Sequence, residues 1–312
     1  MKISSQNIWL NIDKPIGFSS AKVVAIVKRI TGAKKVGHAG TLDPFASGVL
    51  PIALNKATKT CQYISDARKK YYFHITWGEF RDTDDVEGEV VETNNLRPTT
   101  AQIISALPFF IGKINQVPSR FSAIKINGER AYNLARKQID FEIKSREVEI
   151  FSAKLISNSA EFGEFEIECS KGTYVRSFAR DLCKKMAVCG YVSTLTRLQV
   201  ANFYYKNRIS LAKLKSVVNY GESFLDGSLL SLHDVLDFMV EIELGDTDAL
   251  KFKNGQIITI QYPSKYPFLG SHSLDDLSLE SSRANVARVV NNSQLIGLGK
   301  FAENLLSPIN VF

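Results

Sequence analysis

Between Gly32 and Gly48 the chain carries four glycines, one histidine and a single carboxylate, in the order Gly32, Gly37, His38, Gly40, Asp43, Gly48. Glycine lacks the Cβ that keeps neighbouring backbone at a distance, so a stretch this rich in it suits tight turns and close approach of main chain to a ligand. The segment is expected to be a loop, and Asp43 is its chemical centre. Read alone, Asp43-Pro44 is a turn signal, because Asp side chains cap turns and Pro fixes the next φ. Upstream, Ile8 to Ile12 reads as a strand closed by a turn at Asp13 to Gly17. Ser19 or Ser20 then caps a helix over Ala21 to Ile30, where Val23, Val24, Ile26, Val27 and Ile30 recur at helical spacing.

Beyond the loop, helices and strands follow one another without a regular βαβ rhythm, which predicts an α+β fold rather than a doubly wound sheet. A helix is expected over Ala57 to Ala67 and an aromatic strand over Tyr71 to Trp77. Asp82 to Asp85 reads as a turn between two strands, the second around Gly88 to Glu92. Helices are expected near Thr100 to Phe109 and at Ala131 to Arg136, and strands at Arg146 to Ile156 and Glu164 to Ser170. Tyr174 to Ala187 reads as a helix ended by Gly190. After Val235 the pattern changes to short strands, at Met239 to Leu244, Gln256 to Tyr262, Ala287 to Val290 and Gln294 to Leu298. The expected division is a domain of residues 1–235 and a small β domain of residues 236–312.

Of the 312 residues, 45% are hydrophobic and 23% charged, a globular balance that excludes disordered, collagenous and membrane-embedded classes. The net charge of +7 is unevenly spread: residues 1–215 carry +13 and the remainder −6. Lys14 to Lys70 holds 11 basic residues opposed only by Asp43 and Asp66, and Lys171 to Lys215 holds 10 opposed only by Asp181. Clustered Lys and Arg gain from counterion release at phosphates, so a polyanion is the expected partner. Cys61, Cys169, Cys183 and Cys189 are too scattered for a disulfide framework. Together with the lack of a leader-like or membrane-spanning stretch, they predict a cytoplasmic protein. His38, His74, His233 and His272 are far apart and no phosphate-loop, dinucleotide or zinc-protease motif occurs, so neither cofactor nor metal is expected.

The run Gly37-His38-Ala39-Gly40-Thr41-Leu42-Asp43-Pro44-Phe45-Ala46-Ser47-Gly48-Val49-Leu50-Pro51-Ile52 resembles the long signature of the TruB family of pseudouridine synthases. Asp13-Lys14-Pro15-Ile16-Gly17-Phe18-Ser19-Ser20 is similar to that family's opening segment. Further matches in order are Gln116-Val117-Pro118, Ser122 to Gly128, Ala131-Tyr132, Ala135-Arg136 and Cys169 to Arg176. The resemblance implies a mixed, largely antiparallel sheet flanked by helices, a thumb-like segment at about residues 112–145, and a PUA-like C-terminal domain. It implies isomerisation of the T-loop uridine of tRNA (U55) to pseudouridine by a monomer. Asp43 then falls on the catalytic nucleophile. Tyr71 falls on the tyrosine that stacks on the target base and takes part in proton transfer. Tyr174 matches a pocket-lining tyrosine, Arg176 the arginine that pairs with the aspartate, His38 the histidine that displaces the target nucleotide, and Leu195 a pocket-lining leucine. Thr196 replaces a common arginine of the family, while Arg197 remains as an expected phosphate contact.

These residue types suit the chemistry. Breaking a glycosidic bond develops positive charge on the sugar, which an ionised carboxylate stabilises, traps covalently, or assists by removing a ribose proton. The residues leave open whether Asp43 attacks the ribose, attacks uracil C6 or abstracts a proton. An arginine beside it keeps it charged, and the planar guanidinium also fixes its orientation. A base buried in a stack must leave it to be reached, and Tyr71 offers a π-face to receive it. A non-catalytic tRNA-binding or tRNA-folding protein with the same basic surface is the alternative. A subunit of a guide-RNA particle is not expected, because this chain opens directly on Asn11-Ile12-Asp13 and ends acidic. Salt-dependent tRNA binding is expected to reside mainly in residues 1–215. A chain shortened at its acidic end and still folded should keep most of its affinity in filter-binding titrations, with a steep log–log salt slope.

Overall fold

The computed structural model describes residues 3–126, 128–260, 285–302 and 304–312. Its first strands are β1 (Ile8–Lys14), β2 (Val36–His38), β3 (Ser47–Leu54) and β4 (Lys69–Trp77). A hairpin of β5 (Glu79–Arg81) and β6 (Val90–Thr93) precedes β7 (Gly112–Gln116), and a smaller one of β8 (Lys125–Ile126) and β9 (Glu129–Arg130) precedes β10 (Arg146–Asn158). Then come β11 (Phe162–Cys169), β12 (Gly190–Val200), β13 (Phe203–Tyr204) and β14 (Leu229–Ser231). Apart from the two hairpins these strands form one sheet ordered β14-β1-β3-β12-β4-β11-β10-β7, with β2 on β3 and β13 on β12. Only β3 and β12 run parallel in it, so the fold is α+β as expected, with a largely antiparallel sheet.

Strand β4 shows how the sequence builds this sheet. Its buried residues alternate as Lys69, Tyr71, Phe73, Ile75 and Trp77, because successive side chains of a strand point to opposite faces. On that face Phe73 stacks on Phe165 with ring centroids 5.4 Å apart and meets Phe178 edge-on at 6.0 Å. Phe178 belongs to a helix over Val175–Lys185, whose Val175, Ala179 and Leu182 complete this core. On the same face, towards β1 and β3, a helix over Ser20–Thr31 and another over Leu211–Tyr220 send Val23, Val27 and Leu214 against Leu10, Ile12, Leu50 and Ile52. Ser19 is the N-cap of the first of these, accepting from Lys22 N, and Gly32 closes it in the left-handed conformation at φ 66°.

Two central strands differ from expectation. The sequence reads loop as far as Gly48 and assigns no element to residues 49–54, yet residues 47–54 form β3, which is buried along almost its whole length between β1 and its other neighbours. Gly48 and Pro51 obscure it. Pro51 is tolerated where β3 exchanges β12, paired at Ser47 and Gly48, for β2, paired at Ile52 to Leu54. Gly190 does not end the helix before it. That helix closes after Lys185, Ala187 turns the chain at φ 55°, and Gly190 opens β12, where a Cβ would come within 2.7 Å of Cys183 Sγ and 2.8 Å of Ile75. The helix expected over Ala57 to Ala67 is a 3-10 turn at Asn55–Thr60 followed by Cys61–Ser65.

The C-terminal residues form a second sheet of β15 (Val240–Glu243), β16 (Ile258–Thr259), β17 (Val286–Asn291), β18 (Gln294–Ala302) and β19 (Leu305–Val311), ordered β15-β17-β18-β19-β16. Of the strand expected at Gln256 to Tyr262, Ile258 and Thr259 pair with β19, while Gln261 and Tyr262 lie outside the described residues. Phe252 is fully buried in this sheet's core, and Leu298 joins Tyr63 and Leu236 of the main body. The helix over Leu211–Tyr220 and strand β14 both belong to the main body. A shortened chain must therefore keep them and end no earlier than about residue 235. No helix among the described residues is long and apolar enough to cross a membrane.

Gly48 is the tightest glycine of the main sheet. It has φ +98°, and a Cβ there would collide with the Arg197 carbonyl oxygen. Gly48→Ala should lower the unfolding free energy by about 2–4 kcal/mol in urea titrations, through left-handed strain plus overpacking.

Candidate active site around Asp43

The true loop is short, running from Ala39 to Ala46 between β2 and β3, and the opening segment of the chain holds it. The Ser20 hydroxyl accepts from Leu42 N at 2.9 Å and donates to Leu42 O at 3.2 Å. Gly17 N donates to Pro44 O at 2.8 Å. Lys14, fully buried, donates from Nζ to the carbonyls of Phe18, Pro15 and Pro44 at 2.6, 3.0 and 3.1 Å. The two serines thus divide their work: Ser19 caps the helix and Ser20 pins the loop. Backbone and side chain bracket Asp43 on both flanks, and its side chain remains about a third exposed (32%).

Arg176 meets Asp43 from below, with Nε 2.9 Å from Asp43 Oδ2. It stands in the first turn of the helix over Val175–Lys185 and is 3% exposed. Its Nη1 pairs with Asp85 Oδ2 at 3.0 Å and donates to Thr83 O at 3.0 Å, while Nη2 donates to Phe121 O at 3.3 Å. Burial opposes the charge of Arg176, but Asp43, Asp85 and Asp84 together hold its pKa above the ordinary arginine value. Burial pushes the Asp85 carboxyl up, and Arg176 opposes that shift. The result is a carboxylate–guanidinium–carboxylate chain, one end buried and the other open. By sequence alone Asp82 to Asp85 reads only as a turn. Three aspartates in four residues beside an arginine-bearing motif were the available signal for Asp85.

The other expected residues converge on the same place to different degrees. Tyr71 is 7% exposed on β4, directly opposite Arg197 of β12. Burial raises its phenol pKa, and Arg197 acts against that rise. Leu195, 6% exposed, lies two residues before Arg197 on β12. His38 ends β2 with its ring beside the Gly40 backbone, and burial followed by Arg197 lowers its pKa, which keeps the imidazole neutral near neutrality. Tyr174 is the N-cap of the arginine-bearing helix. The Gln116 side chain fixes it, accepting from Tyr174 N at 2.8 Å and donating to Tyr174 O at 3.1 Å, and Arg146 lies over its ring at 5.3 Å. The expected phosphate contact at Arg197 is a correction: its side chain is fully buried and donates to Val49 O, Gly40 O and Thr41 O at 2.8, 3.0 and 3.4 Å. A side chain committed to backbone beneath the loop cannot reach solvent. Thr196 shares a 3.2 Å hydroxyl hydrogen bond with Ser47, tying β12 to the start of β3. His272 lies outside the described residues.

The chain superposes along 100% of its length, at TM-score 0.71 and 20% identity, on 86% of a chain in the structure of an H/ACA RNP bound to a substrate RNA containing 2'-deoxyuridine. It does so at TM-score 0.70 and 20% identity on 85% of a chain in a Cbf5–Nop10–Gar1 complex. Residues 28–175 match the TruB family pseudouridylate synthase N-terminal domain. The tRNA pseudouridine synthase B of Ehrlichia ruminantium is 42% identical over 308 residues, covering 97% of this chain and 98% of that protein. That of Sinorhizobium medicae is 44% identical over 309 residues, covering 97% and 95%. The chain belongs to the TruB family of pseudouridylate synthases.

A second buried lysine lies under the loop. Lys69 Nζ donates to Ser65 O and Ala67 O at 2.6 and 2.5 Å, and burial first, then Arg197, lowers its pKa to about 7. An unfolded lysine still binds its proton up to about pH 10.4. Above pH 7 the unfolded chain therefore holds more protons at this position, and stability rises with pH. Urea titrations at about pH 7 and pH 9 should show that rise, and Lys69→Met, neutral at every pH, should remove on the order of 2 kcal/mol of it.

Proposed function

We propose that this chain isomerises the T-loop uridine of tRNA (U55) to pseudouridine, with Asp43 as the nucleophile on a flipped-out base. The ion pair that holds Asp43 at 2.9 Å from a buried Arg176 carries the reading. An aspartate needs its negative charge to answer a cation-like sugar, and a guanidinium already paired on its far side with Asp85 supplies a fixed orientation at no reorganisation during the reaction. The glycosidic C–N bond breaks, the uracil turns while held on the Tyr71 ring, and C5 joins the ribose C1'. The electron pair of the broken bond stays on the uracil ring, the C5 proton leaves through the Tyr71 oxygen, and N1 takes up a proton, so that the product ring is neutral. Leu195 and Tyr174 line the pocket, and His38, neutral and wedged beside Gly40, serves in displacing the nucleotide.

Residues 1–235 act as the catalytic domain in this reading and residues 236–312 as a PUA-like domain. Within the thumb-like segment of about 112–145, residues 112–116 pair with β10 at the sheet edge, and the rest grips the T-arm. Its root touches the site directly, through Arg176 Nη2 on Phe121 O and Arg180 Nη2 on Val117 O at 2.7 Å. The enzyme works as a cytoplasmic monomer and needs neither cofactor nor metal. Incubating it with an unmodified tRNA transcript and mapping pseudouridine by carbodiimide and primer extension should give a single stop in the T-loop. Asp43→Asn should lower the rate more than about 10³-fold with tRNA affinity nearly unchanged. Full activity in that variant would remove Asp43 from its role. A missing product with tRNA still bound would leave the tRNA-folding alternative.

A further inference from the structure

Arg197 poses a problem that the ion-pair chain at Asp43 does not. It is fully buried, and among the described residues no carboxylate pairs with it. Its hydrogen bonds run to three backbone carbonyls, of Val49, Gly40 and Thr41. A buried unpaired cation is costly, because neutral carbonyls replace hydration only in part. Its surroundings make the cost larger. Lys14 from β1, His38 from β2 and Lys69 from β4 all feel its charge, and both lysines are likewise held by backbone carbonyls. The groups facing it that can become anionic are Tyr71, directly opposite on β4, and the Cys169 thiol on β11. Burial pushes that thiol up to about 12, which leaves it neutral. Asp43 is the remaining charged neighbour of the Tyr71 phenol.

We infer that Arg197 is a positioning residue, the buried counter-cation that lets the Tyr71 phenol carry negative charge during turnover while its other donors lock the Asp43 loop to the sheet. The inference rests on the pseudouridine reading only for the use made of that charge. One guanidinium then sets both halves of the site. Through Nη1 and Nη2 it fixes Thr41 O and Gly40 O, two and three residues before Asp43, and through its charge it favours the phenolate that accepts the C5 proton. Lysine, a single point charge, cannot serve loop and phenol together.

The test places a ring-fluorinated tyrosine at position 71, whose acidified phenol titrates in the accessible range, and follows it by fluorine NMR in the RNA-free protein. The titration midpoint should lie at least about one pH unit higher in Arg197→Met than with Arg197 intact, a tenfold change in acidity, and Arg197→Lys should fall between. Pseudouridine formation should fall at least about tenfold in Arg197→Met with ordinary Tyr71, with RNA affinity unchanged. The fluorinated ring should restore the part of that loss that comes from the phenol, which a merely structural role would not allow. An unmoved midpoint in folded Arg197→Met overturns the inference whether or not the protein is active. A moved midpoint without any pseudouridine in the Arg197 protein counts against the function and leaves the pairing standing. Should Arg197→Met fail to fold, the guanidinium nitrogen resonances of the intact protein decide. They must shift with the same midpoint as the fluorine signal, and their failure to do so overturns the pairing.

Discussion

Everything at this site depends on a guanidinium with two carboxylates. Arg176 reaches Asp43 on the loop between β2 and β3 and Asp85 on the hairpin between β5 and β6, from a helix that is itself locked to β7 by Gln116. Four separate stretches of chain are thereby fixed relative to one another. An isolated arginine at 3% exposure would be strongly destabilising, and either carboxylate alone would leave part of its fork unused. The pair of acids satisfies it. Asp85 provides the buried anchor, and Asp43 is left with one oriented, partly open carboxylate facing the solvent side.

Beneath the loop the same physical device recurs with carbonyls in place of carboxylates. Lys14, Lys69 and Arg197 are all buried and all donate to backbone oxygens. These bonds hold the main chain in place from below, which explains why the chain's opening segment matters to a loop some 30 residues away. They also build a positive field under Asp43 and Tyr71. A stabilised loop and a biased electrostatic environment thus come from one set of side chains, and the cost appears as lowered lysine pKa values.

Much of this was legible along the chain. The helix after Ser19, the alternating strand at Tyr71 to Trp77 and the amphipathic helix at Val175 follow from local periodicity, since each presents one buried face. The glycine-rich loop, Asp43 and its arginine were legible too, through residue types in a fixed order. Strands β3 and β12 were not. Both lie at the centre of the sheet and both contain a glycine that reads locally as a stop, and in β3 burial on two faces also erases alternation. Gly48 and Gly190 are there because a neighbouring strand or side chain occupies the space of a Cβ, a fact that belongs to the partner and not to the residue.

The sequence by itself determined the class of fold, the placement of one carboxylate in a glycine-rich basic segment and the presence of an arginine able to hold it charged. Only the tertiary structure decided which charges meet. Asp85 became part of the site, and Arg197 moved from an expected phosphate contact to a buried support for the loop and for Tyr71. The reason is one of range. Periodicity and propensity act over a few neighbouring residues, whereas an ion pair is set by strand register and helix docking across about 90 residues of chain, as between Asp85 and Arg176.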